Sequence, residues 1–207
     1  MQKKVVLALL VAALVAGGVF ADGLSLSAGG GLLFDLSGNN GIREGDSYMG
    51  IRNTSFGLYG FFDATYVEAD ISFARGSITM VAEEGGSSAS EDFGSAMQLG
   101  LSLLGKYPID LGSFTLFPLF GINYNMVLSF KDVDGNSYDD AGDLSQLGIL
   151  GGVGADFGLS DSLYLRAEGL FQLRFASKFQ KDMSDAFGGS TTIGMGPRIK
   201  VGIGIKF

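Results

Sequence analysis

The sequence contains no cysteine, no histidine and no tryptophan, and only three prolines in 207 residues. Without cysteine there can be neither a disulfide staple nor thiol chemistry. Without histidine no Ser–His constellation can be built, and any acid–base work falls to carboxylates such as Glu68 or Glu168. Positive charge is also scarce: 14 Lys+Arg face 22 Asp+Glu. That balance argues against a nucleic-acid partner. Beyond the first 21 residues there is no run of about 18 apolar residues, so no membrane helix is predicted there.

What is abundant is glycine, with 34 residues, and apolar side chains, at 46% of the chain. Glycine without proline, among so many Leu, Ile, Val and Phe, fits neither disorder nor collagen. The N-terminus has its own character. Lys3 and Lys4 precede the apolar run Val5 to Val15, and Gly17, Gly18, Val19, Phe20 and Ala21 follow. This is the pattern of a secretory signal peptide, cut after Ala21. The run is shorter than the roughly 20 residues of a spanning helix. Domains are therefore expected at 1–21, the signal peptide, and 22–207, the barrel domain. Cleavage leaves 12 basic against 22 acidic residues, a net charge of −10.

From residue 22 onward the hydropathy repeats every two residues. In 113–130, Phe114, Leu116, Pro118, Phe120, Ile122, Tyr124, Met126, Leu128 and Phe130 share one parity. At the end, Ile193, Met195, Ile199, Val201, Ile203, Ile205 and Phe207 alternate with Gly194, Gly196, Arg198, Lys200, Gly202 and Gly204. Such alternation is a strand signal. Six further segments read likewise, at about 22–36, 52–63, 65–81, 95–106, 145–158 and 162–176. Long polar connections are expected at 37–49, 82–94, 131–144 and 177–190, and short ones at 63–64, 107–112 and 158–161. Four long and three short connections require eight strands. The fold class is all-β, an eight-stranded antiparallel up-and-down transmembrane β-barrel.

Parity alone does not say which face is inside. A soluble lipocalin-like barrel would turn its apolar face inward. Volume opposes this, because an eight-stranded interior cannot hold roughly forty bulky side chains. The opposite parity is rich in small residues, such as Gly29, Gly31, Gly57, Gly100, Gly121 and Gly204. It also carries Glu68, Asp70, Arg166, Glu168, Arg174, Arg198 and Lys200. Mid-membrane charge facing lipid is costly, whereas inside a barrel these groups can pair. The seven are thus expected to form a lumen charge network. Bulky residues on the same inward parity, among them Leu33, Tyr59, Phe61, Phe117, Leu119 and Leu150, are either lumen filling or a candidate apolar pocket.

Three pieces carry a family resemblance: Thr65-Tyr66-Val67-Glu68-Ala69-Asp70-Ile71, Leu163-Tyr164-Leu165-Arg166-Ala167-Glu168, and the ending in Phe207 behind Val201, Ile203 and Ile205. With the export signal, they make the chain resemble small outer-membrane barrels of the OmpW, OmpA and OmpX type. The resemblance implies location in the cell outer membrane, contact with its lipid, and reading of Val201, Ile203, Ile205 and Phe207 as an insertion signal by the barrel-assembly machinery. OmpW-type barrels imply binding or passage of small hydrophobic solutes. The alternative is a structural barrel with a plugged lumen, whose loops bind partners. The expected protein is a monomer and not an enzyme. No cofactor or metal is expected: the acidic segment 131–140 lacks the EF-hand order of Gly and Glu.

Overall fold

The structure, a computed structural model, describes residues 25–207. The signal-peptide reading of 1–21 lies outside the described residues. Eight long strands run β1 Leu26–Glu44, β2 Ser47–Ala64, β3 Val67–Glu84, β4 Ser87–Lys106, β6 Phe114–Asp132, β7 Gln146–Gly158, β8 Leu163–Arg174 and β10 Gly194–Lys206. Two short ones, β5 Ile109–Asp110 and β9 Ser190–Thr191, add to β6 and β1 at the two ends. All pairings are antiparallel, and β10 pairs with β1 from Ser27↔Lys206 to Gly38↔Met195. The ring is therefore closed, and closure leaves no unpaired edge in the band where lipid offers no hydrogen bonds.

The two faces are sorted as volume requires. Along β10, Gly194, Gly196, Arg198, Lys200, Gly202 and Gly204 are buried, while the residues between them are exposed. Outward positions carry Leu58, Phe62, Ile71, Phe73, Phe120, Val153, Phe171, Val201 and Ile203. Arg52 and Arg75 are the outward charges of this band. They sit towards its loop end, where long side chains can reach the interface. Among the described residues, the outward positions between them and the short turns hold no charge. Tyr66, Tyr107 and Phe207 stand exposed at the opposite rim. An uncharged apolar belt outside and a polar, tightly filled inside make this a membrane-spanning barrel.

Glycine permits the filling. A Cβ at Gly204 would run into the Tyr164 ring, and one at Gly154 into the Phe117 ring. Both large rings therefore lie flat over a neighbouring strand.

The long connections differ from their sequence reading. Residues 37–49 and 82–94, polar loops by their composition, continue as strand. The β1–β2 and β3–β4 hairpins turn only at Gly45–Asp46 and Gly85–Gly86, with positive φ at all three glycines. From 82 to 92 both faces meet water, so alternation fades there while the backbone ladder persists. Bulges between Ser37 and Asn40, and between Ile78 and Thr79, mark the passage. A second difference is a helix, Lys178–Phe187, in the last loop. Its start carries a capping box, with Ser177 and Gln180 satisfying each other's backbone N–H groups, and Gly188 ends it at φ 74°.

Candidate functional site

The lumen is built in layers. Nearest the short turns, Arg166 gathers three carboxylates. Its Nε and Nη2 donate to Asp156 at 2.7 Å each, Nη1 donates to Glu68 Oε2 at 2.6 Å, and Nη2 donates to Asp63 at 2.7 Å. Lys106 also donates to Asp63. Lys200 lies 3.0 Å from both Glu68 Oε1 and Asp70 Oδ2, and 2.6 Å from Glu168 Oε2. The last contact is an ion pair without a well-aligned hydrogen bond. Aromatic rings lie over the cations: Arg166 is 4.4 Å from the Phe61 centroid and Lys200 is 5.0 Å from that of Tyr59.

The next layer centres on Asp35. Arg198 Nε and Nη2 and Arg174 Nη2 all donate to Asp35 Oδ2, at 2.9, 2.6 and 2.8 Å. Gln172 donates to the other carboxylate oxygen and accepts from Arg174 Nε. The structure thus splits the seven charges read from the sequence. Glu68, Asp70, Arg166, Glu168 and Lys200 join one cluster, while Arg174 and Arg198 join another. Four further partners lie beyond those seven: Asp35, Asp63, Lys106 and Asp156. Each sits on the inward parity, so the signal is in the sequence, where Asp63 reads as a short turn and Lys106 as a strand end.

The six candidate pocket residues fall into two packed apolar clusters. Leu33, Tyr59 and Phe61 pack with Ala74 and Tyr164. Phe117, Leu119 and Leu150 pack with Leu104 and Leu170. All are buried, and none lines either cavity described below. At inward positions in the strand middle, facing rings and Leu side chains meet and exclude space.

Space lies instead at the loop end. A cavity of about 160 Å³ is walled by Ile42, Met49, Ile51, Ile78, Phe93 and Leu144, and roofed by Phe179 and Met183 of the loop helix. Below it a smaller cavity, about 30 Å³, is lined by Ser37, Asn53, Gln98, Asn125, Gln146 and Arg174. The two share Ile51, Ile78 and Leu144. Amide groups organise the lower one. Asn53 and Asn125 both donate to Gln98 Oε1, at 3.3 and 2.7 Å, and Gln146 donates to Gln180 of the helix at 3.3 Å. The helix is thereby tied to the floor of the site it covers. Outside, Lys178 bridges Asp143 and Asp182 at 2.8 and 2.9 Å, and these carboxylates hold its ammonium well above the usual lysine range.

No protein-family model matches the chain. Comparison with curated proteins also finds no match. Among solved structures, the chain is similar to Ail, the attachment invasion locus protein of Yersinia pestis, in complex with the heparin analogue sucrose octasulfate. Identity there is 13% and the TM-score 0.40, over 89% of this chain and 99% of that one. It is also similar to the translocator domain of the autotransporter NalP from Neisseria meningitidis. Identity there is 14% and the TM-score 0.25, over 100% of this chain and 97% of that one.

Proposed function

We propose that this protein is a monomeric, non-enzymatic barrel of the outer membrane that binds a small apolar molecule at its loop end, behind a closed lumen. The observation that carries the reading is the stacking of the layers. An apolar cavity of about 160 Å³ lies on the loop side of two charge layers, first Asp35 with Arg174 and Arg198, then the cross-lumen pair of Arg166 and Glu68, which are 1% and 0% exposed. Binding is therefore favoured over passage, because a solute moving inward would have to break both charge clusters. This narrows the role implied by the OmpW-type resemblance to its binding half. The missing histidine and the locking of Glu68 and Glu168 into ion pairs speak for a role without catalysis.

The test uses purified protein in lipid nanodiscs and planar bilayers. Expected are no single-channel conductance, and saturable binding of an apolar fluorescent probe that Met183→Trp abolishes by filling the cavity. Steady conductance, or probe binding indifferent to Met183→Trp, would overturn the reading.

A second reading has its own support. The end of the β3–β4 hairpin, residues 82–92, is exposed on both faces and carries Glu83, Glu84, Glu91 and Asp92. Such a hairpin suits contact with a macromolecular partner. Absence of probe binding, with retention of a partner lost on shortening the hairpin, would favour it.

A further inference from the structure

The larger loop-end cavity has an uneven composition. The chain holds seven methionines, and three of them surround this one space: Met49 on β2, Met80 on β3 and Met183 on the loop helix. Filling alone does not call for methionine, because leucine has nearly the same volume and excludes water as well. What the thioether adds is a polarizable sulfur, which favours contact with an aromatic ring. The three residues come from two strands and from the roof, so a guest between them meets methionine on two sides. Phe93 and Phe179 complete the aromatic part of the wall. Phe93 is itself stacked on Phe130, with centroids 5.2 Å apart, and is thereby fixed in place. Among the described residues, none that lines this cavity is charged. Its one polar side chain, Gln180, has its carboxamide oxygen taken by Gln146 and Ser177.

We infer that this cavity is a site for an uncharged, single-ring aromatic molecule, selected over saturated molecules of the same size by the methionine sulfurs. The inference rests on the loop-end binding role proposed above and names its ligand class. Size sets the single ring: an apolar cavity of about 150 Å³ accommodates benzene, and this one is about 160 Å³. A flat ring also has no rotors to freeze on binding. Its edge hydrogens and π-face meet thioethers and phenylalanine rings in edge-on and offset-stacked contacts. A saturated ring offers neither. An ionised group would lose its hydration and find no partner in this wall.

The experiment titrates the full chain in nanodiscs with benzene and cyclohexane, each affinity referred to the free aqueous concentration. Burial of apolar area alone makes cyclohexane the tighter ligand, because it is the more hydrophobic of the two. The sulfurs reverse that order, and benzene is expected to bind at least about threefold more tightly. Combining Met49→Leu, Met80→Leu and Met183→Leu conserves volume and should return cyclohexane to first place. If that triple variant does not fold, Met183→Leu alone, on a helix outside the barrel wall, should shrink the preference for benzene and leave cyclohexane affinity level. Cyclohexane binding as tightly as benzene to the wild type, with both lost in Met183→Trp, would overturn the aromatic inference and leave the apolar-binding reading intact. A benzene preference unchanged by the leucine variants would overturn selection by the sulfurs. Failure of both probes to bind would overturn the inference and the reading beneath it.

Discussion

Arg166 on β8 and Glu68 on β3 meet across the lumen, Nη1 donating to Oε2 at 2.6 Å, from positions 98 residues apart in the chain. The two strands are not neighbours in the sheet, so the contact braces the barrel through its interior. Arg166→Met would leave Asp63, Glu68 and Asp156 without their common cation. Removing one partner of a buried ion cluster costs about 3–5 kcal/mol. Urea unfolding in lipid vesicles should show that loss, and adding Glu68→Gln should recover part of it, because the two sites are coupled. An unchanged midpoint in the single variant would mean that the cluster contributes nothing to stability.

The lipid-facing assignment predicts an asymmetry along the barrel height. Ile71→Arg and Val201→Arg place a guanidinium on the outward face within the uncharged belt. Each should cost about 2–4 kcal/mol of folding free energy in a bilayer. Thr54→Arg, next to the existing outward Arg52 and Arg75 at the loop side, should cost much less. Equal costs at all three positions would contradict the belt.

The loop helix depends on its cap. Ser177→Ala removes the hydroxyl that accepts from the Gln180 N–H and should destabilise the helix by about 1 kcal/mol. Amide exchange should quicken in Lys178–Phe187, while the strands beneath keep their protection. Affinity for apolar probes should fall in step, since Phe179 and Met183 form the roof. Faster exchange with unaltered probe affinity would separate the helix from the site.

Lys178 tests the electrostatics of the same loop. Its ammonium is held above its ordinary value by hydrogen bonds and charge from Asp143 and Asp182, while remaining exposed to solvent. A raised folded-state value means that any stabilisation is present below the unfolded value and lost as the pH climbs through the folded one. The difference between wild type and Lys178→Ala should therefore be small at neutral pH, shrink with salt, and vanish under strongly alkaline conditions. A difference that grows with pH would have the wrong sign for this bridge.

The sequence by itself determined the number of long strands, their antiparallel order and which side chains face lipid. These follow from a period of two and from the bulk of each parity, both local or additive properties. Phe56, Leu58 and Phe62 declared their face without any knowledge of their neighbours. Only the tertiary structure decided which inward charges meet, because Arg166 finds Glu68 through the closure of the ring and not through any spacing along the chain. Cavity location was likewise hidden. Phe61 and Phe117 are inward and apolar, as a pocket wall would be, yet opposing strands fill the space before them. Met183 lines the loop-end cavity from a helix whose local signs were the cap Ser177-Lys178-Phe179-Gln180, the i,i+4 apolar pair Phe179 and Met183, and the closing Gly188. Packing across a lumen depends on the shapes that face each other, and a pattern read along one strand carries no record of what stands opposite.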